Sequence, residues 1–306
     1  MYLFKTVKKL MPSRLQESFR PVFHRYLVER NRRLAEKYGV REMIRRIYRK
    51  AMGVDPDLDN PRKFSEKIAW LKLNVLDPLI TQCADKVAVR DYVTSVIGPE
   101  YLIPVVGIYD SLDDLDFSEL PCDCVIKCTH GSHCDLFYYK DQPFDENYAR
   151  RMLRHWLGLN YYYYGFEWGY KNIPPRIIVE KMMKFDGAIP VDFKIHCFNG
   201  KPKFLYVSAD HFGAMKRTYY DLNWELIPVQ DANCLPVEIP RPECFDEMCH
   251  LAEKLSAPFV FARTDFYLVN NKIYFGEITF YPDCAHVKWT PQSYDDEFGE
   301  MLQLPK

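Results

Sequence analysis

Apolar residues recur at helical spacing in some stretches of the chain and alternate with polar residues in others, so the sequence predicts both helices and strands. We predict helices at residues 64–74, 85–98, 145–160 and 243–255. We predict strands at residues 101–110, 122–129, 176–183, 191–198 and 203–208, and a final pair at 258–269 and 272–280. Because helices and strands are interleaved, the pattern favours an α+β or mixed α/β fold over a bundle or a sandwich.

Two basic amphipathic helical patterns precede these elements. The apolar positions are Val22, Phe23, Tyr26, Leu27, Leu34 and Tyr38 in the first, and Met43, Ile44, Ile47, Tyr48 and Ala51 in the second. Residues 1–50 contain 15 Lys and Arg against 4 Asp and Glu, whereas the rest of the chain holds 26 against 38. Such an arm can lie on an anionic bilayer, grip nucleic acid, or pack on the protein body with a solvated face. We expect no nucleic acid and leave the other two open.

The composition is that of a globular protein, since 306 residues with 48% hydrophobic content suffice for a sizeable core. No apolar run reaches the roughly 18 residues of a membrane-spanning helix, and the first residues have too short an apolar stretch for a secretory signal. We expect a cytoplasmic protein, and peripheral contact of residues 1–50 with the inner face of the membrane stays one of the two open alternatives. The ten cysteines fit reduced thiols better than a disulfide scaffold.

The dipeptide Asn199-Gly200 predicts a two-residue hairpin turn. The register that follows pairs residue 198 with 201, 194 with 205, and 192 with 207. One face of the strand then carries Asp192, Lys194, His196 and Phe198. From this hairpin alone, a solvated face is favoured over a phosphate and metal environment.

The last hairpin turns at Asn270-Asn271 and leaves two registers open. A two-residue loop places Asp265 opposite residue 276 and sends Glu277 to the other face. A three-residue loop centred on Asn271 pairs Asp265 with Glu277 and residue 263 with 279. We prefer the three-residue loop.

Directly opposed carboxylates at Asp265 and Glu277 would repel each other, since their Cβ atoms would be only about 4.5–5.5 Å apart. A cation resolves the conflict, and oxygen ligands favour magnesium or manganese over zinc. The alternatives are an acid–base dyad with one raised pKa, partial neutralisation by Arg263, and a structural surface pair.

The stretch CVIKCTHGSH, residues 124–133, combines cysteines and histidines that imitate a zinc cluster. Its spacing matches no recognised zinc pattern. As a strand it places Cys124, Ile126 and Cys128 on one side and Val125, Lys127 and Thr129 on the other. We therefore expect the cysteines to pack in a core.

A family resemblance is found in the last hairpin, which reads ARTDFYLVNNKIYFGEIT. It resembles the hairpin of ATP-grasp enzymes in which an R-x-D strand and an E-x-N strand hold magnesium. Together with VIKCTHGS, RIIVEKMM and DFKIHCFNGKPKF, the chain resembles the TupA-like ATP-grasp family of bacterial surface polysaccharide biosynthesis. The resemblance implies two α+β subdomains that clasp ATP, behind a basic helical arm. We divide the chain into an arm at 1–52, an α/β region at 53–121, a small subdomain at 122–184, and a core subdomain at 185–306.

The resemblance also implies roles for individual residues. The magnesium ligands are Asp265, Glu277 and Thr279, the last standing where many relatives have Asn. The residues that bind nucleotide are Lys86, Lys127 and Lys194, the loop residues Thr129, His130, Gly131 and Ser132, and the adenine segment Glu180, Lys181 and Met182. Arg263 faces the reacting phosphoryl group or oxyanion, and Lys194 is a second lysine near the phosphates. Apart from the resemblance, His196 is either an acceptor-side acid or base or a hydrogen-bonded structural histidine.

These roles imply an ATP-dependent carboxylate–amine ligase that uses ATP and Mg²⁺ or Mn²⁺ and forms an acylphosphate. The family context suggests joining an amino acid to a uronic acid or amino acid of a surface polysaccharide, such as a capsule, or its lipid-linked precursor. The alternatives are a sugar kinase, a glycosyltransferase of the same pathway, and a binding scaffold without turnover.

Overall fold

The computed structural model describes residues 13–184, 190–209, 216–231 and 238–305. The helices are α1 Ser13–Tyr38, α2 Val40–Met52, α3 Phe64–Asn74, α4 Pro78–Ala84, α5 Val89–Val96, α6 Glu146–Leu157, α7 Tyr162–Gly165, α8 Phe245–Ser256 and α9 Ser293–Met301. The strands are β1 Val105–Tyr109, β2 Cys124–Cys128, β3 Asp135–Tyr138, β4 Ile177–Lys181, β5 Asp192–Phe198, β6 Lys201–Ala209, β7 Lys216–Asp221, β8 Gln230–Asp231, β9 Phe261–Val269, β10 Lys272–Thr279 and β11 Trp289–Thr290.

The smaller of the two main sheets has the strand order β1-β4-β2-β3, with every pair antiparallel. Helix α6 covers one face, where Leu153 and Trp156 join a buried cluster with Cys124, Ile126 and Cys128. The predicted core role of these cysteines is confirmed. Lys127 lies on the opposite, partly exposed side of β2. This sheet begins earlier than the predicted boundary at residue 122, because β1 pairs with β4.

The larger sheet has the order β10-β9-β5-β6-β7 and is also antiparallel. Helix α8 covers one face, and the thiol of Cys197 on β5 lies 3.8 Å from the carbonyl of Ala252 on this helix. The apolar residues of that face lie in the main core. The polar residues of β5, β9 and β10 lie on the other face. Two main sheets with flanking helices confirm the α+β fold class.

The Asn199-Gly200 turn forms as predicted, with residue 198 opposite 201. The rest of the predicted register is wrong by one residue. The register shifts between His196, which pairs with residue 204, and Cys197, which pairs with residue 202. This bulge places Lys194 opposite Tyr206 and residue 192 opposite 208. An extra residue in one strand shifts every pairing beyond it.

The last hairpin has the predicted pairing but not the predicted turn. Val269 pairs with Lys272, so the loop is the two-residue Asn270-Asn271, with φ of 50° and 58°. A bulge at residue 276 then restores the pairing of residue 265 with 277 and of 263 with 279. Gly276 fits here because an added Cβ would lie 3.1 Å from the backbone oxygen of residue 265.

The basic arm forms two helices that differ in how they pack. The predicted apolar stripe of α2 is confirmed, since Met43, Ile44 and Tyr48 are buried in the main core. The predicted stripe of α1 is only half right, because Val22 and Tyr26 are 67% and 63% exposed. None of the described helices is long and apolar enough to cross a bilayer.

Candidate active site

Arg263 organises the charged face of the larger sheet. Its guanidinium donates to both oxygens of Asp265 on the same strand, at 2.7 Å from Nε and 2.6 Å from Nη2. It also donates to Thr279 at 3.0 Å and Glu277 at 3.2 Å on β10, and to the Tyr206 hydroxyl at 3.3 Å on β6. The opposed carboxylates of the sequence prediction are therefore neutralised by this arginine.

Lys194 supplies a second positive charge on the same face. Its ammonium lies 2.5 Å from Asp192 and 2.5 Å from Asp265. Burial alone would lower the pKa of Lys194, but the two carboxylates raise it well above its usual value. The side chains of Lys194, Asp192 and Asp265 are all largely buried. The interpretation of this face as solvated is wrong, because it lies inside the fold.

The pKa values of the two site carboxylates are shifted in opposite directions. Burial raises the pKa of Asp265 to about 6, despite the nearby Arg263 and Lys194. Burial also acts to raise the pKa of Glu277, but Lys194, Arg263 and Lys86 together lower it to about 2. Glu277 is half-exposed, so it presents an ionised carboxylate at the open side of the site.

The donors at this position suit magnesium. Asp265, Glu277 and Thr279 offer carboxylate and hydroxyl oxygens, which are the hard ligands that Mg²⁺ prefers. They converge through hydrogen bonds, because Thr279 donates to Glu277 at 3.0 Å and both accept from Arg263. Nucleotide phosphates would have to supply further ligands, since no three His, Cys, Asp or Glu side chains among the described residues form a metal group by themselves. The zinc alternative gains no support.

Lys127 on the smaller sheet pairs with a carboxylate of its own sheet and is also affected by a carboxylate of the larger sheet. Its ammonium lies 2.8 Å from Glu180, which also pairs with Arg90 at 3.3 Å. Burial would lower the pKa of Lys127, but Glu180 and, more weakly, Asp135 and Glu277 raise it. Glu277 on the larger sheet thus acts electrostatically on this lysine of the smaller sheet.

The predicted phosphate loop begins where β2 ends and is held by Lys86. The Lys86 backbone N–H donates to the carbonyl of Thr129 at 3.3 Å, and its ammonium donates to the carbonyl of Gly131 at 2.5 Å. The charge of Lys86 also contributes to the low pKa of Glu277. Lys86 therefore holds the loop through its hydrogen bonds and acts electrostatically on Glu277.

The side chains at the start of this loop point into the small-sheet core. Thr129 is fully buried and donates to the carbonyl of Pro174 at 3.2 Å. His130 is buried with its Nε2 3.0 Å from the carbonyl of Trp156. Ser132 is half-buried. Thr129 and His130 thus fix the loop, and their direct contact with a phosphate stays a prediction.

A cavity of about 460 Å³ adjoins the predicted adenine segment. The residues that line it are Cys122, Asp123, Lys181, Met182, Met183, Lys184, Val269, Asn270 and Tyr274. It therefore opens between the hinge after β4 and the last hairpin. The N–H of Met182 donates to the carbonyl of Asp123 at 2.9 Å, and Glu180 turns its side chain to Lys127. A role for the backbone here stays a prediction.

His196 lies deeper than a reacting group would require. Its ring stacks on Phe204 with centroids 4.4 Å apart and is almost fully buried. Burial, with help from Arg263, lowers the pKa of His196 well below its usual value. The ring is therefore neutral near pH 7. Its predicted role as an acid or base has no geometric support here and stays a prediction.

Sequence reasoning did not assign Tyr206, Arg90 or the pairing of Asp192 with Lys194 to the site. The signal for Asp192 was present, because it shares a strand face with Lys194 at a spacing of two. Arg90 and Tyr206 lie 90 and 57 positions from their site partners, so only the fold brings them together.

Comparison with known proteins identifies a family for most of the chain. The family model described as TupA-like ATPgrasp matches residues 66–303. No curated protein matches the chain.

Several solved structures resemble the chain at low identity. A D-alanine–D-alanine ligase from Bacillus anthracis complexed with ATP is 18% identical, with a TM-score of 0.40 over 65% of this chain and 55% of that one. The ATP-grasp ligase PsnB complexed with a minimal precursor is 9% identical, with a TM-score of 0.38 over 67% and 55%. The N5-carboxyaminoimidazole ribonucleotide synthetase from Thermus thermophilus is 14% identical, with a TM-score of 0.37 over 65% and 45%. The chain thus spans about half the length of these proteins.

Proposed function

The chain belongs to the TupA-like ATP-grasp family, and from this premise we propose that it is an ATP-dependent carboxylate–amine ligase. The observation that carries the proposal is the set of four polar side chains on paired strands β9 and β10. Arg263, Asp265, Glu277 and Thr279 are joined by hydrogen bonds, and Glu277 acts electrostatically on Lys127 of the smaller sheet. Such a site combines oxygen donors with cations, as phosphoryl transfer requires.

Each group has a part in the proposed reaction. Asp265, Glu277 and Thr279 would hold magnesium, which neutralises phosphate charge when bound. Lys127 and Lys194 offset the remaining charge of the phosphates. The cavity at the hinge between residue 181 and the last hairpin would hold the adenine.

The chemistry proceeds in two displacements. A carboxylate oxygen of the acceptor bonds to the γ-phosphorus of ATP, and the bond to the β–γ bridging oxygen breaks to release ADP. The amine nitrogen then bonds to the acyl carbon of the resulting acylphosphate. Inorganic phosphate leaves and the nitrogen loses a proton, so the product is an amide. In this proposal Arg263 stabilises the oxyanion of the second step.

We further propose that the acceptor is a uronic acid or amino acid of a bacterial surface polysaccharide or its lipid-linked precursor, and that the arm meets the inner membrane. One face of α1 supports membrane contact. It combines exposed Val22 and Tyr26 with exposed Arg25, Arg30 and Arg33 at helical spacing. Basic residues with interleaved apolar side chains suit an anionic bilayer surface.

The ligase proposal is tested by ADP release from the full chain with ATP, magnesium and a panel of uronic and amino acids, with and without added amino acids as amines. We expect ADP release that depends on both an acceptor acid and an amine, and an amide in the product mass. ADP release without an amine requirement, together with a phosphorylated sugar, would select the kinase instead.

The membrane proposal is tested by sedimentation with vesicles that contain anionic lipid. We expect the full chain to cosediment, and the double substitution Val22→Ser and Tyr26→Ser to reduce binding. Val54→Ser is the matched control, because Val54 is 57% exposed outside the arm. Equal binding by the double variant would count against the arm.

A further inference from the structure

Residues 161–170 form a segment that contacts both the predicted phosphate loop and the turn after β10. At one end, a Cβ added to Gly131 of the loop would lie 3.1 Å from the ring of Tyr161. Further along, a Cβ added to Gly165 would collide with Sγ of Cys284, which lies in the turn after β10. The 161–170 segment is therefore packed against the loop assigned to the phosphates and against the chain that leaves the metal site.

Glu167 supplies a carboxylate to this segment. Its side chain is half-buried, and its Oε1 would lie 3.2 Å from a Cβ added to Gly165. The Cys284 thiol donates a hydrogen bond to it. Within the described part of the chain, Glu167 forms no ion pair with a Lys, Arg or His side chain. Its charge therefore lacks a basic hydrogen-bond donor.

Lys72 acts electrostatically on Glu167, but its hydrogen bonds go elsewhere. It donates to the carbonyls of Gly165 and Cys284, each at 2.9 Å, and to Sγ of Cys284 at 3.1 Å. An ammonium has three N–H bonds, so these contacts use all of them. Lys72 thus fixes the turn against the 161–170 segment and has no further N–H for Glu167.

The electrostatic surroundings of Glu167 favour the approach of a positive charge. Burial raises the pKa of Glu167, and Lys72 and Cys284 oppose this only in part. The negative charges of Asp283 and Glu277 raise the pKa further. A ligand cation beside Glu167 would offset both the burial and the repulsion.

Two tyrosine rings accompany the carboxylate in the 161–170 segment. Tyr161 and Tyr170 meet edge to face with centroids 5.1 Å apart, and both are half-buried. Burial raises the pKa of both hydroxyls, and the charge of Glu167 adds to this effect. Aromatic rings attract ammonium groups, whereas Mg²⁺ requires more oxygen ligands than one carboxylate supplies. An ammonium group therefore fits this position better than a second metal ion.

We propose that Glu167 binds the amine substrate through its ammonium group. The inference rests on the proposed ligase function. A carboxylate and an ammonium form a charge-assisted hydrogen bond, which is stronger than a hydrogen bond between neutral groups. Because the 161–170 segment contacts the phosphate loop and the turn after β10, an amine held by Glu167 is kept close to the groups that carry the phosphoryl transfer.

The test uses hydroxylamine, which is uncharged at neutral pH, as a second nucleophile for the same acylphosphate. The full chain is incubated with ATP, magnesium and glucuronate, galacturonate or glutamate, and with either hydroxylamine or an amino acid, namely glycine, alanine or lysine. We expect ADP release with both kinds of nucleophile. Glu167→Gln should raise the KM for the amino acid about 10- to 100-fold, as expected for a lost charge-assisted hydrogen bond. The same substitution should leave hydroxamate formation unchanged.

Glu253→Gln is the matched control, because Glu253 pairs with Lys201 on the surface, and it should change neither reaction. An unchanged KM for the amino acid in Glu167→Gln overturns the inference. An equal loss with both nucleophiles also overturns it, because it shows a structural role. Hydroxamate formation without turnover of any amino acid by the unmutated protein overturns the inference and leaves the ligase function standing. Absence of hydroxamate with all three acids overturns both.

Discussion

Replacing Arg263 by methionine should destabilise the fold severely. Arg263 is only 9% exposed at its side chain and Asp265 only 1%, so neither charge is solvated once the other is removed. Removing one partner of a buried ion pair costs about 3–5 kcal/mol, because the remaining charge stays buried without compensation. Lys194 offsets part of the Asp265 charge at 2.5 Å, so we expect a loss near the lower limit, about 3 kcal/mol.

The assay is urea denaturation of four proteins, namely the unmutated chain, Arg263→Met, Asp265→Asn and the double variant. We expect the double variant to be destabilised by at least about 1 kcal/mol less than the sum of the single effects, because the second substitution removes the orphaned charge. Arg241→Met is the matched control, since Arg241 pairs with Asp246 at 2.7 Å on the surface. It should cost less than about 1 kcal/mol. Additive single effects, or a loss at Arg263 no larger than at Arg241, would show that Arg263 and Asp265 do not stabilise each other as a buried pair.

Three further predictions concern the last hairpin. Gly276→Ala should weaken binding of an ADP analogue and lower the free energy of unfolding by about 1 kcal/mol. The added Cβ would press on the backbone at Asp265 and disturb the bulge that aligns the carboxylates. Unchanged binding of the ADP analogue would contradict this. Asn271→Val should cost about 1–2 kcal/mol in denaturation, because φ is 58° there, whereas Asn271→Gly should cost nothing. Glu277 has its pKa lowered from 4.5 to about 2, so its charge stabilises the fold above about pH 4.5 and this contribution is lost as the pH falls toward 2. Thermal melts should therefore show a smaller loss between about pH 5 and pH 3 in Glu277→Gln, and parallel curves would contradict the assignment.

The last hairpin shows what the sequence could and could not predict. The alternation in β9 and β10 left two registers open, and the preferred one predicted that Asp265 and Glu277 oppose each other, as they do. The predicted three-residue loop was wrong, because a two-residue turn plus a bulge at Gly276 gives the same pairing. A glycine inside a strand is a recognised signal of a bulge.

The environment of β5 could not be predicted from its own pattern. Asp192, Lys194 and His196 form a polar row that is equally typical of a solvated strand. Their burial depends on elements far along the chain, as Lys194 and Asp265 lie 71 positions apart. The same holds for Arg217 and Asp283, which are far apart in the chain but lie 4.0 Å from each other in the fold.

The arm shows the limit of amphipathic patterns. Apolar residues recur at helical spacing in both α1 and α2, yet only α2 buries its stripe, with Met43 and Tyr48 in the main core. In α1 the buried positions include Asn31, whose amide donates to the carbonyl of Tyr163 at 3.0 Å. A polar residue that satisfies a distant carbonyl cannot be recognised as buried from spacing alone.

The central claim is that the γ-phosphoryl group of ATP is transferred to an acceptor carboxylate at the site built on Arg263, Asp265 and Glu277. It is tested most directly by running the reaction with acceptor acids labelled with oxygen-18 in the carboxylate and analysing the released phosphate by mass spectrometry. We expect one labelled oxygen to appear in inorganic phosphate as the amide forms, and Glu277→Gln to abolish the transfer. Unlabelled phosphate, or phosphate retained on a sugar hydroxyl, would contradict it.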